Sequence, residues 1–296
     1  MNKLSTVMSI LLLIGLVSAV PVCTKHATDG SLGDWGLNAL KNSANWGTNT
    51  TWVPNSGVRY IVEDNYNPRY ASGSNLPGVH IMGIGSSFIF YDEPKVLTKD
   101  GNLVPEPYGH EEFDNEAFYF DQDADCIYLT IITSEAPNAQ GDAAPSDLAL
   151  NMDNDPNTGK FGYEYGVKLE SYHAPLTLFG LYSNPDWQVP YYVPQNKPNI
   201  FGSGTYIEQV KGVYTELKDD NSNGVYDNGY PNYVIQLAIP KSSVGNPSNL
   251  GFDSFHMSEY CGNDHIPAPE FPFILVPLAI TAIAPVLGYY ISKRQN

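Results

Sequence analysis

The sequence predicts an all-β fold, an antiparallel β-sandwich of jelly-roll-like type, lying between two apolar ends. Three observations carry this. Short stretches alternate apolar and polar residues with a period of two. The chain holds 26 Gly, 23 Pro and 21 Tyr, a mixture that suits strands joined by tight turns and not a helical bundle. Turn-rich segments recur at sandwich spacing across a body, residues 20–266, that a single β-domain can fill.

The elements follow in order. Residues 1–19 read as a signal peptide: Lys3 supplies the positive start, Val7 to Val17 is almost wholly apolar, and Val17-Ser18-Ala19 offers a small-residue cleavage site. In the body, helix is expected only as a turn or two near Leu37 to Asn42. Strands are expected over 57–63, 79–91, 116–121, 126–133, 146–152, 162–170, 174–182, 205–215, 233–239 and 252–258. The clearest is 126–133, where Ile127, Leu129 and Ile131 share one face and Cys126, Tyr128 and Thr130 the other. Ile235, Leu237 and Ile239 repeat the pattern. The stretch Gly83 to Ser87 reads as a bulge inside an apolar strand rather than a nucleotide loop. Phe271 to Ile291 carries no charge over 21 residues, long enough for a transmembrane segment 271–291. Pro277 and Pro285 would kink it, and Lys293 and Arg294 would hold its end on the cytoplasmic side.

Net charge is −17. Three of the basic residues lie in the apolar ends, so residues 20–270 carry all 32 acidic residues against only twelve basic ones. Such a body repels phosphate backbones, which excludes nucleic acid as a partner. Charged residues make up only 16%, so the acidity reflects scarce Lys and Arg rather than a disordered acidic tail.

Three cysteines in an exported chain suggest one disulfide. Cys23 and Cys261 stand at the two ends of the domain, and a bridge between them would close it; Cys126 is the competing partner. Asn49-Thr50-Thr51 is a glycosylation sequon.

Oxygen-bearing side chains recur at alternate positions in two loops, the pattern by which a calcium loop converges on a hard cation. In Asp219, Asn221, Asn223 and Asp227 they fall at relative positions 1, 3, 5 and 9, with Gly224 at 6. Tyr230 stands where the usual bidentate Glu would be. The second loop, Asn151 to Gly159, offers Asp153, Asp155 and Asn157. Asp114 and Glu116, with Asp121, Asp123 and Asp125, form a third acidic group. Bound calcium would relieve repulsion in so acidic a body. Each motif also reads as an ordinary Asn/Asp/Gly turn.

The motifs of enzymes are missing: no Gly-x-Ser-x-Gly elbow, no His-Glu-x-x-His helix and no phosphate loop ending in Lys. No catalytic residue is assigned. The six His never fall at paired ligand spacing, so zinc is not expected. Two facing carboxylates of a glycoside hydrolase need no fixed spacing and remain an alternative. Trp187, Tyr191 and Tyr192 lie in a Pro-rich loop, 184–198, and could offer a platform for sugar rings; Trp35 and Trp52 read as core.

The C-terminal end, Pro267-Ala268-Pro269-Glu270-Phe271-Pro272 followed by an apolar span and a basic pair, resembles the PEF-CTERM sorting tail of archaeal exported proteins. The resemblance implies that an archaeosortase acts at Pro269, Glu270 and Phe271. It also implies that the protein is held at the cell surface by its C-terminal tail or a lipid anchor. In the body, Asp29 to Gly36, Glu116 to Asp123, Asp147 to Leu150, Gly162 to Val167, Ala238-Ile239-Pro240 and Cys261 to Asp264 together resemble uncharacterised surface domains with sorting tails. Their sandwich is similar to family-nine carbohydrate-binding modules and DOMON-like domains. The expectation is a non-enzymatic structural or adhesive protein of the archaeal envelope, calcium-stabilised, contacting envelope components, glycans or its own copies. A carbohydrate-binding module is the alternative.

Overall fold

The computed structural model describes residues 21–38, 52–64, 79–84, 86–90, 95–97, 103–105, 115–141, 144–170, 176–190, 198–218 and 230–258, with shorter pieces at 172, 222, 226–227, 260 and 265–266. The signal segment, Asn49, Asp114, Tyr191, Tyr192, Cys261 and the sorting tail 267–296 lie outside them.

Strands come in the order β1 (Arg59–Asp64), β2 (Val79–Ile84), β3 (Ser87–Phe90), β4 (Lys95–Leu97), β5 (Leu103–Pro105) and β6 (Ala117–Gln122). Next are β7 (Cys126–Thr133), β8 (Leu148–Leu150), β9 (Tyr165–Val167), β10 (Gly180–Ser183), β11 (Thr205–Gln209) and β12 (Lys211–Glu216). The chain continues through β13 (Tyr226–Asp227), β14 (Tyr230–Pro231), β15 (Tyr233–Pro240), β16 (Phe255–Ser258) and β17 (His265–Ile266). Described 3₁₀ turns lie at Gly33–Trp35, Lys241–Val244 and Phe252–Ser254.

Two antiparallel sheets hold most of these strands. One has seven strands in the order β12-β15-β7-β6-β1-β2-β3, the other six in the order β11-β10-β9-β8-β16-β17. β8 to β11 form an up-and-down meander within the six-stranded sheet. The core lies between the sheets. Ile127, Leu129 and Ile131 of β7 and Ile235, Leu237 and Ile239 of β15 meet Leu148, Leu150, Val167, Leu181 and Phe255 from the facing sheet. Alternation along β7 and β15 therefore points the expected residues inward.

The other face of β7 is buried too. Cys126, Tyr128 and Ile132 pack with Leu32, Trp35, Leu37, Trp52 and Val58. The opening segment thus lies across the outside of the seven-stranded sheet, with Trp35 and Trp52 as core. Gln236 of β15 holds it: its Oε1 accepts from the Asp29 and Gly30 N–H groups at 3.1 and 2.8 Å, and its Nε2 donates to Ser31 O at 2.7 Å. The Tyr128 hydroxyl accepts from the N–H groups of Thr24 and Lys25 at 3.0 and 3.1 Å. That register sets Cys23 beside Cys126 at the head of β7.

The disulfide joins Cys23 to Cys126, which corrects the expected pairing of Cys23 with Cys261. The stretch from Gly83 to Ser87 is likewise a hairpin turn and not a bulge, because Ile84 pairs directly with Ser87. The expected strand 205–215 is two strands. β11 is the edge of one sheet and β12 the edge of the other, with buried Val210 between them.

Candidate cation loop and adjoining cleft

β8 and β9 pair as a hairpin, and residues 151–164 are its long loop. Asp153 and Asp155 organise it by bonding nearby backbone, as short acidic side chains do in turns. Asp153 Oδ1 accepts from the Asp155 N–H at 2.9 Å, and the Thr158 hydroxyl donates to Oδ2 at 2.8 Å. Asp155 Oδ1 accepts from the backbone N–H and side-chain Nδ2 of Asn157 at 2.9 and 2.8 Å, which holds its carboxyl below the usual range. Gly159 then turns the chain with φ +65°; a Cβ there would sit 2.4 Å from the Tyr163 carbonyl oxygen. Only glycine allows that approach.

The return arm brings Glu164 back against the start of the loop. Its Oε1 accepts from the N–H groups of Met152 and Asp153 at 2.9 and 3.2 Å. Burial pushes the Glu164 carboxyl up, and the nearby charge of Asp153 adds to the rise. Two oxygens of the loop, Asn151 Oδ1 and Glu164 Oε2, are buried without a hydrogen-bond partner. Buried polar atoms are normally satisfied, so these two oxygens are acceptors left open within the fold. Among the described residues, no three His, Cys, Asp or Glu side chains gather closely enough to hold a metal by themselves. A cation here would need Asn151 and Asn157, backbone carbonyls and water beside Asp153, Asp155 and Glu164. That is an all-oxygen donor set, suited to a hard ion.

The other acidic candidates fare differently. Asp219, Asn221 and Asn223 lie outside the described residues, and Asp227 falls in β13, paired with Tyr230 of β14. Glu116 is buried and accepts from the Ser134 hydroxyl at 2.8 Å and from Asn232 Nδ2 at 3.2 Å. It is a structural acceptor inside the fold rather than an exposed ligand. Asp121 accepts from Lys25 Nζ at 2.8 Å and lies 2.7 Å from His26 Nε2. Asp123 closes the β6–β7 turn by accepting from the Asp125 and Cys126 N–H groups at 2.9 and 2.7 Å and from the Tyr128 hydroxyl at 2.9 Å. These carboxylates hold the hairpin and the opening segment in place.

Trp187 corrects a further expectation. It is fully buried, its ring meets Phe201 edge-on at 4.9 Å, and its Nε1 donates to Tyr163 O at 3.2 Å. Trp187 packs with Ala149, Tyr182 and Phe201 on the outer face of the six-stranded sheet, so the indole presents no platform to a ligand.

Beside the 151–164 loop lies an open polar cleft of about 430 Å³. Arg59, Gln122, Asn154, Ser248, Asn249 and Asp253 line it. Arg59 Nη1 donates to Leu250 O at 2.5 Å, and Asn154 Nδ2 to Asn249 O at 2.6 Å. Asn154 therefore belongs to both features. Spacing along the sequence does not select Arg59 or Gln122, because the pairing of β1 with β6 brings them to one cleft. The one local signal is Glu164, which follows the turn glycines Gly159 and Gly162 directly into β9. No family model matches this chain, and no curated protein or solved structure matches it either.

Proposed function

We propose that this chain is a non-enzymatic structural or adhesive protein of the archaeal cell surface, exported, sorted by its PEF-type tail and stabilised by calcium. The observation that supports the calcium reading is the 151–164 loop, where the Asp153 and Glu164 carboxylates bond loop backbone and two buried oxygens lack partners. The Cys23–Cys126 disulfide supports export, since such bonds persist in oxidising compartments. The test is a thermal melt of residues 20–266 with excess calcium and again with a chelator. One site at 100 times its dissociation constant contributes ~2.7 kcal/mol. For a domain of this size the expected rise in Tm is roughly 5–10 °C, specific to calcium over magnesium. Equal melts in calcium and chelator would remove the ion from the proposal.

A second reading, a carbohydrate-binding module, is favoured by the cleft. Its guanidinium, amides and carboxylate can exchange hydrogen bonds with sugar hydroxyls. Retardation in gels containing polysaccharide, lost in Arg59→Ala, would support it. Unchanged mobility across a panel of neutral and acidic polysaccharides would set it aside.

A further inference from the structure

Lys168, Asp147 and Glu170 form a sealed cluster on the outer side of the six-stranded sheet. Val167 and Leu169 enter the central core, so Lys168 and Glu170, alternating with them, face the other way. Asp147 directly precedes β8, and because Leu148 pairs with Val167, it stands across from Lys168. Asn199 and Phe201 lie against them. Side-chain exposure is 0% for Lys168, 0% for Asp147 and 2% for Glu170. Lys168 Nζ lies 2.9 Å from Asp147 Oδ2 and 3.3 Å from Phe201 O, and it also donates to Glu170 Oε1. The Leu169 N–H donates to Asp147 Oδ1 and the Phe201 N–H to Oδ2, each at 3.0 Å.

An ammonium shared by two carboxylates, all out of water, is a poor source of stability, since desolvation offsets the attraction. The same arrangement is well placed for condensation. The amine is held in contact with a carboxyl group, which replaces a bimolecular encounter. Backbone N–H groups already point at both oxygens where negative charge would develop. A second carboxylate touches the nitrogen and can carry its proton. Water is excluded, which protects the product from hydrolysis. Burial pushes the Asp147 carboxyl up to about 6, against the pull of Lys168, so its protonated form is accessible near neutral pH.

We propose that Lys168 and Asp147 join in an intramolecular isopeptide bond, with Glu170 as the proton carrier. The Lys168 ammonium gives one proton to Asp147 Oδ2 and attacks Cγ as the neutral amine. An N–Cγ bond forms, and the charge on Oδ1 is held by the Leu169 N–H. Glu170 takes a second proton from the nitrogen and passes it to Oδ2. The Cγ–Oδ2 bond breaks, one water leaves, and a neutral amide remains. Glu170 ends as it began, and no oxidant or co-substrate is consumed.

The test is peptide mapping of the purified full chain, reduced and cut with trypsin. The peptide carrying Asp147, which ends at Lys160, and the one beginning at Phe161 should appear as a single branched species. Its mass should be lower than their sum by one water, with no cut after Lys168, and N-terminal sequencing should read two starts, Asp100 and Phe161, where a chain merely left uncut at Lys160 would read one. Glu170→Gln and Lys168→Arg should each release the two peptides separately. A cooperative melt of Glu170→Gln would show that the fold survives loss of the link. Cleavage after Lys168 and an unlinked Asp147 peptide in the folded wild-type chain would overturn the proposal. A link that persists in Glu170→Gln would overturn the role given to Glu170.

Discussion

Asp121 sits where the opening segment meets β6, nearly buried between Lys25 and His26. Burial raises its carboxyl, but the hydrogen bonds from His26 and Lys25 outweigh it and hold the group below its ordinary value. A carboxylate with a depressed value stabilises the fold above its unfolded pKa of ~3.9 and loses that contribution as pH falls through the folded value. The melting temperature should therefore decline with acid below that range, and Asp121→Asn should flatten the decline. At Gly159, Ala would face both a positive φ and the Tyr163 carbonyl. Gly159→Ala, like Asp153→Asn or Glu164→Gln, is expected to abolish most of the calcium-dependent rise in Tm. Trp187→Ala separates core from platform: a buried indole removed costs about 3–5 kcal/mol of stability, where a surface platform would cost little. Urea unfolding measures the difference. Trp187 was not legible as core, because nothing local tells a Pro-rich loop whether it stands off a sheet or lies down on one.

At the scale of elements, β7 and β15 were readable almost to the residue, since strict alternation of Ile and Leu leaves one register that buries them. The 205–215 run was readable as strand but not as two. Alternation continues through Val210 while the chain leaves one sheet for the other. Disulfide pairing was not legible either. It depends on how residues 21–26 lie over β7, a contact made across a sequence separation of 103. Closing a loop of that length removes unfolded-state entropy worth about 4–5 kcal/mol. Cys23→Ser, Cys126→Ser and the double variant should lose nearly the same stability in denaturant titrations, with no additivity between them.

For the whole molecule, composition and turn spacing gave the class: all-β, two antiparallel sheets. They could not give the cleft at Arg59 and Asn154 or the buried Lys168 cluster. Both are assembled from segments that meet only once the sheets are stacked. Even the acidic loops were legible as pattern and not as geometry. Glu116 and Asp121 have the right chemistry for ion ligands yet spend it on Ser134, Asn232, Lys25 and His26.

The bond at Cys126 also sets where tension enters the fold. A pull on the N-terminal end does not peel residues 24–37 from the sheet one contact at a time. It passes through the sulfur bridge to the head of β7, a strand flanked on both sides by long antiparallel partners, β6 and β15. Those ladders then bear the load together, so the segment that carries Trp35 stays in place until the centre of the sheet itself gives way.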